Sequence, residues 1–194
     1  MKSPFYFIAK PIKGKRYNNT KEIAGIEFIV STSEEDYKFS NRYAEVIELP
    51  LGYTGPIEIG DTLLVHHNAF KFYNDMRGRQ KSGKSFFKED LFFIETDQFF
   101  MYKKKDKWFA YDRYCFVKPI PATESFINKP FKEEPLMGRM VYPNDYLISK
   151  GIQSNDLVCF SPDSEYEFEV DGEKMYRMYD HQITVKLWVQ KTQN

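Results

Sequence analysis

The sequence predicts an all-β chain arranged as two tandem small antiparallel β-barrels, with short strands and long loops. Three observations predict it. Aromatic residues make up 18% of the chain, led by 18 Phe and 14 Tyr, and these residues favour pleated, half-buried surfaces over helices. Segments recur in the same order along the chain, which marks an internal duplication. Tyr166, Phe168 and Val170 alternate with Glu165, Glu167 and Glu169 before Asp171-Gly172 and EKMYRMY. That is the pattern of a hairpin with one wet face, joined by a dipeptide that supplies the positive φ a tight turn needs.

The duplication organises the elements. FYFIAKPI (Phe5 to Ile12) returns as RYCFVKPI (Arg113 to Ile120) at a spacing of 108. IEIGDTLLV (Ile57 to Val65) returns as IQSNDLVCF (Ile152 to Phe160) at 95, with Asp61 answering Asp156. YDRYCFVK (Tyr111 to Lys118) is echoed by YDHQITVK (Tyr179 to Lys186) at 68. On this reading the segment Tyr111 to Ile120 closes the first module and opens the second. The modules are 1–118 and 119–194. The hairpin of the second module is matched in the first by FFMY, KKKDK and WFAY (Phe99 to Tyr111). The changing spacings give the first module 13 extra residues before its Gly-Asp strand and 27 extra after it. The first excess falls in a long loop (13–42), the second in a basic insertion (about 66–97).

Composition excludes several classes. With 28 Lys and Arg against 28 Asp and Glu, no overall field attracts polyanions or an anionic membrane, so a dedicated nucleic-acid binder is disfavoured. The apolar run Phe5 to Ile8 is too short for a signal peptide or a membrane span, which points to the cytoplasm. Cys115 and Cys159 sit in apolar strand-like runs and read as small core residues, without disulfide or metal. His66 and His67 are adjacent on a presumed strand, so they point to opposite faces and cannot chelate one ion together. His181 stands alone. No nucleophile elbow, zincin motif or cysteine pair at ligand spacing is present. No catalytic residue and no cofactor is expected.

One motif argues otherwise. GRQKSGKS (Gly78 to Ser85) satisfies the phosphate-loop pattern G-x-x-x-x-G-K-[ST]. A working loop of that kind needs a buried strand before it and a helix after it. The preceding AFKFYNDMR turns fully polar, and although FFKEDLFFIE has the length of a short helix, no doubly wound domain follows. Arg77, Arg79, Lys81 and Lys84 therefore read as a solvated loop. A phosphate or single-stranded nucleic-acid contact from these four residues is the alternative, and a nucleotide hydrolase a further one.

The long loop has polar ends, while Ile26, Phe28, Ile29 and Val30 form an apolar patch in its middle. It reads either as one more barrel strand or as a segment that lays its patch into a partner's groove. Taken together, FIAKPI, the loop with Gly25-Ile26 opening its patch, AEVIEL, a turn and IEIGDTLLV resemble the GroES family of co-chaperonins. That family runs strand, mobile loop with a Gly-Gly-Ile-Val-Leu-like patch, G-x-V strand, V-G-D-x-V strand, hairpin and closing strand. The resemblance covers most of residues 5–65 and 99–118, and recurs over 116–187. It implies two GroES-like barrels in tandem and a homo-oligomeric ring that caps a GroEL-type chaperonin through Gly25, Ile26, Phe28, Ile29 and Val30. The terminal strands near Phe5 and Val185 are the expected ring contacts. Glu27 interrupts the family's apolar triplet, Ala24 stands for its second glycine, and the roof is reduced to LPLGYTGP. The short roof is similar to that of phage-encoded co-chaperonins, which implies a viral source and the host cytoplasm. The second module offers only Phe126 and Ile127 in PATESFINKPFKEEPLMG, so one module per chain is expected to grip the partner. Seven such grips match a sevenfold chaperonin.

Overall fold

The computed structural model describes residues 1–17, 20–23, 26–29, 40–122 and 133–188, with the backbone alone for 20–29. The chain divides into two compact units, Met1–Lys107 and Trp108–Asn194. The boundary lies before the one expected near residue 118.

Unit 1 contains β1 (Phe7–Pro11), β2 (Thr20–Ile23), β3 (Ile26–Ile29), β4 (Tyr43–Glu48), β5 (Thr62–Val65), β6 (Phe72–Asn74), β7 (Gln80–Ser82), β8 (Phe86–Lys88), β9 (Leu91–Ile94) and β10 (Phe99–Lys104). With β11 (Lys107–Ala110) they give a seven-stranded sheet ordered β11-β10-β5-β4-β1-β9-β8 and two separate hairpins, β2-β3 and β6-β7. Unit 2 contains β12 (Tyr114–Pro121), β13 (Glu133–Tyr142), α1 (Asp145–Ser149), β14 (Leu157–Phe160), β15 (Tyr166–Val170), β16 (Glu173–Tyr179) and β17 (Ile183–Leu187). Its strands form one sheet ordered β15-β16-β12-β13-β14-β17. The fold is all-β, and the paired strands are antiparallel. The sheets are not the closed barrels expected from the sequence, since each ends on two different edge strands.

The two sheets share one strand order. Numbering strands within each sheet, and leaving aside β11 and the two separate hairpins, both read 4-5-1-2-3-6. Register agrees as well. Ala9 opposes Val46 and Pro11 opposes Ala44 in unit 1, as Val117 opposes Met140 and Pro119 opposes Gly138 in unit 2. The first repeated block thus occupies equivalent strands, and its buried triplets Phe7-Ile8-Ala9 and Cys115-Phe116-Val117 fill equivalent core positions.

The second block also superposes, down to its hydrogen bonds. Asp61 Oδ2 accepts from Glu58 N at 2.8 Å, and Asp156 Oδ2 from Gln153 N at 2.7 Å. Gly60 N donates to Val46 O at 2.8 Å, and Asn155 N to Met140 O at 2.7 Å. Both donors have positive φ, 92° and 73°, a backbone state that glycine and asparagine tolerate best. The Gly-Asp and Asn-Asp pairs therefore recur because each turn needs a left-handed residue followed by a carboxylate cap.

The third block is corrected. β12 opens the second sheet and takes no part in the first, while β17 is a sixth strand, so their likeness is not one of position. The strands that match β9 and β10 are β16 and β17. Ile94, Phe93 and Phe92 oppose Phe7, Ile8 and Ala9, and Met178, Arg177 and Tyr176 oppose Cys115, Phe116 and Val117, a constant spacing of 84. The same spacing holds for Phe99 and Met101 against Ile183 and Val185, including the irregularity between them. Gln98 and Gln182 confirm it. Their Oε1 atoms accept from Glu95 N at 3.0 Å and Tyr179 N at 2.8 Å, and their carbonyls accept from His66 N and Ser161 N.

The counterpart of the β15-β16 hairpin is thus β8-β9, in place of β10-β11. Asp171 and Gly172 do have positive φ, 50° and 83°, as expected of that turn. FFKEDLFFIE is this β8-β9 hairpin and not a helix: Phe92 packs edge-on to Phe70 at 4.8 Å, giving an alternating strand face something to bury against. Phe5, expected at a ring contact, precedes a strand flanked on both sides, whereas Val185 lies on the edge strand β17. Both side chains are exposed.

Candidate partner-binding site

The long loop leaves and rejoins unit 1 through a pinned neck. Asn41 is buried, and its Nδ2 donates to Ile12 O at 3.0 Å and Lys15 O at 2.7 Å while its Oδ1 accepts from Tyr43 N at 3.0 Å. Asn41 N donates to Arg16 O at 2.9 Å, and Tyr17 bridges Ser40 in antiparallel fashion. One amide side chain thus satisfies both ends of the excursion, the use to which a buried Asn is best suited.

Beyond the neck, β2 and β3 pair as a hairpin, with Thr20 opposite Ile29, Lys21 opposite Phe28, Glu22 opposite Glu27 and Ile23 opposite Ile26. Ile26, Phe28 and Ile29 therefore lie on a strand whose partner is the loop itself, in a two-stranded sheet separate from the seven-stranded one. Gly25 and Val30 lie outside the described residues, as do Glu34, Glu35 and Asp36. So do Phe126 and Ile127 of unit 2.

The neck also grips the second insertion. Tyr17 OH accepts from Phe72 N at 2.8 Å, and the two rings stack at 6.1 Å with planes 24° apart. Arg16 Nη1 donates to Ser82 Oγ at 2.9 Å, with its guanidinium 4.1 Å from the Phe72 ring centre and 4.8 Å from that of Phe92. Burial pulls the Arg16 pKa below its ordinary value, and the rings replace part of the lost hydration. Sequence reading missed Arg16, Tyr17, Ser40 and Asn41. The only signal was a single aromatic residue inside the polar run KGKRYNN.

GRQKSGKS is the turn and returning strand of the β6-β7 hairpin, followed by the strand β8. It lacks the geometry of a phosphate loop. Within the motif, Gly78 N donates to Asp75 O at 2.8 Å, Arg79 N to Asp75 Oδ1 at 2.9 Å and Gly83 N to Lys71 O at 3.2 Å, and just before it Arg77 N also donates to Asp75 Oδ1 at 2.9 Å. The two bonds to Oδ1, with that from Arg79 the stronger, hold the Asp75 carboxyl below its usual range. Gly78 sits at φ 72° to close the turn. Arg77, Arg79, Lys81 and Lys84 are exposed as expected, and Lys81 Nζ lies 3.3 Å from Asp75 Oδ2.

The histidines differ from expectation. His66 and His67 lie past the end of β5, where strand alternation no longer applies, and their rings approach to 4.0 Å. Burial, then the neighbouring His66, lowers the His67 pKa to about 4. His181 has company: its Nδ1 is 3.2 Å from Arg113 Nη2 and 3.7 Å from Asp180 Oδ1. Asp180 is buried and also accepts from Asn144 Nδ2 at 3.1 Å. Asn144 caps α1 by accepting from Leu147 N at 2.9 Å, so this polar cluster ties the helix to the start of β12 and the turn before β17. It borders an open depression of about 630 Å³ that also touches Tyr146, Lys150 and Ile152.

Cys115 is buried and Cys159 partly so, and both are free thiols. Burial pushes the Cys115 thiol pKa up, which makes it a poor nucleophile. Among the described residues no helix is long and apolar enough to cross a membrane. No protein-family model matches the chain, and no curated protein matches it.

Proposed function

We propose that the protein is a non-enzymatic co-chaperonin of tandem GroES-like architecture, which caps a GroEL-type chaperonin through the arm that carries Gly25 to Val30. One observation carries this reading. Ile26 to Ile29 pair within an arm of their own, raised from a neck fixed by Asn41 and Tyr17, instead of entering the sheet of unit 1. Strand order adds support. Unit 1 runs β1, arm, β4, β5, β6-β7 hairpin, β8-β9 hairpin and β10, so a hairpin and a closing strand follow the Gly-Asp strand as the GroES resemblance implies, although at 86–104 and not at 99–118.

The partner supplies all nucleotide chemistry, and the cap assembles as a homo-oligomeric ring with the β17 edge at Val185 as one contact. The site of action is the cytoplasm, that of the host if the chain is phage-encoded. Binding through the arm trades ordering entropy for apolar contact, which keeps the cap releasable.

The test mixes the purified protein with a GroEL-type chaperonin and ATP and reads capped complexes by sedimentation. Capping is expected for the wild type, with loss of about tenfold or more in affinity for the double variant Ile26→Ser, Phe28→Ser, given about 1.4 kcal/mol per tenfold. Unchanged capping by that variant contradicts the role of the arm.

A further inference from the structure

The basic hairpin β6-β7 has no counterpart in unit 2, where the chain passes from β14 to β15 through the short link Ser161–Glu165. The arm hairpin is likewise absent from the strand order of unit 2 among the described residues. Both additions therefore belong to one unit, and they share a base. Arg16 and Tyr17, at the root of the arm, hold Phe72 and Ser82, at the root of the basic hairpin.

The hairpin concentrates charge in a chain that has none overall. From Lys71 to Lys84 there are five cations, Lys71, Arg77, Arg79, Lys81 and Lys84, against the single carboxylate of Asp75. Its tip is also apolar. Met76, in the turn, is 106% exposed, and Tyr73, on β6 below it, is 53% exposed. An exposed methionine followed by Arg77 and Arg79 is the composition of a protein contact with an adaptable apolar centre.

Polyanionic nucleic acid fits this tip less well. Asp75 opens the turn, holds the backbone N–H groups of Arg77 and Arg79, and pairs with Lys81. A phosphate gains nothing from the fully exposed Met76, whereas a protein partner can offer a carboxylate to Arg77 and Arg79 and an apolar side chain to Met76.

We infer that the β6-β7 hairpin is a second docking element, which seats Met76 and Tyr73 on an acidic, partly apolar protein surface, and that this surface belongs to the partner gripped by the arm. The identity of that partner rests on the capping reading, while the chemistry of the contact does not. Rim charges of this kind speed encounter and set salt dependence, so the hairpin steers while the arm grips.

Two measurements test it on the full-length protein. In the first, a fluorescein-labelled peptide of Glu and Leu residues and a single-stranded oligonucleotide of equal charge are titrated against wild type, Arg77→Glu/Arg79→Glu and Arg77→Gln/Arg79→Gln. Both variants keep the backbone bonds to Asp75, and the Gln pair guards against a folding defect of the Glu pair. The peptide is expected to bind the wild type more tightly than the oligonucleotide does, and to lose about tenfold with Glu and less with Gln at about 50 mM salt. Preference for the oligonucleotide, or equal peptide binding by all three proteins, overturns the inference. In the second, chaperonin capture is compared at low and high salt. Arg77→Glu/Arg79→Glu is expected to slow capture at low salt and to match the wild type at high salt. Capture by this variant that equals wild type at both salts overturns the shared partner. If the wild type itself caps no chaperonin, the capping reading fails, and the peptide titration still decides the chemistry of the hairpin.

Discussion

Unit 1 and unit 2 place six strands in the same order and register, use the same Asp-capped turn before the third strand, and fix the sixth strand with equivalent glutamines. They differ in what hangs from that frame. Unit 1 adds the arm at its first connection and the basic hairpin at its third, and both emerge beside Tyr17 and Phe72. Unit 2 places α1 between its second and third strands and extends the β15-β16 hairpin instead. The frame is maintained by packing and hydrogen bonds that tolerate sequence drift, whereas the additions are the parts for which partner contacts are proposed. That division is what duplication permits: one copy keeps the shape while the other acquires contacts.

The comparison breaks most sharply at the second strand. Gly138 occupies the position of Ala44, and a Cβ added there would lie 2.2 Å from Val117 Cγ1 and 2.8 Å from Lys118 O. The counterpart of Val117 is Ala9. Unit 1 thus holds alanine at both positions where unit 2 holds glycine and valine, a large-for-small exchange between neighbours. Gly138→Ala is expected to destabilise unit 2 by about 2–3 kcal/mol in urea unfolding, and Val117→Ala in the same chain to recover part of that loss. Strictly additive costs would mean that the two positions do not compensate. Ala44→Gly is expected to cost about 1 kcal/mol.

A smaller effect distinguishes the ends of the third strands. His67 titrates near 4 in the folded protein and near its ordinary value when unfolded, so the unfolded chain takes up the proton first. Stability is therefore complete above about pH 6.5 and falls as the pH drops toward 4. The loss is about 1–2 kcal/mol once partial exposure is allowed for. His67→Gln is expected to flatten that part of the stability profile, and a profile identical to wild type would rule out His67 as its source.

Smallest is the paired cap. Gln98→Ala and Gln182→Ala each remove one acceptor from a turn N–H and are expected to cost about 1 kcal/mol apiece. Equal costs sharpen the equivalence of the two turns, and a large difference breaks it.

Much of this frame could be read from the sequence. The all-β class, the duplication of the first strand and of the Gly-Asp block, and the Asp-Gly hairpin followed from residues whose local chemistry admits few conformations. The third repeat did not, because YDRYCFVK and YDHQITVK share letters while IETDQFFMY and MYDHQITVK share hydrogen bonds. Only the glutamine, Gln98 and Gln182, coincides in the true pair, and strand packing accepts Phe for Ile and Met for Val without leaving a trace. Open sheets were read as barrels because strand alternation says nothing about whether edges meet. The neck was invisible for another reason: Asn41 bonds backbone carbonyls 26 and 29 residues away, a relation no spacing rule contains. The paired rings of His66 and His67 depend on where β5 stops, and strand ends are the least determined feature of a sequence.

Limited trypsin digestion, read by mass spectrometry with and without a GroEL-type chaperonin and ATP, tests the central contrast most directly. The account predicts that cleavage between Lys13 and Arg42 falls when the complex forms, while cleavage after Lys132 in the corresponding connection of unit 2 is unchanged. Equal protection of both connections, or none in the first, would contradict it.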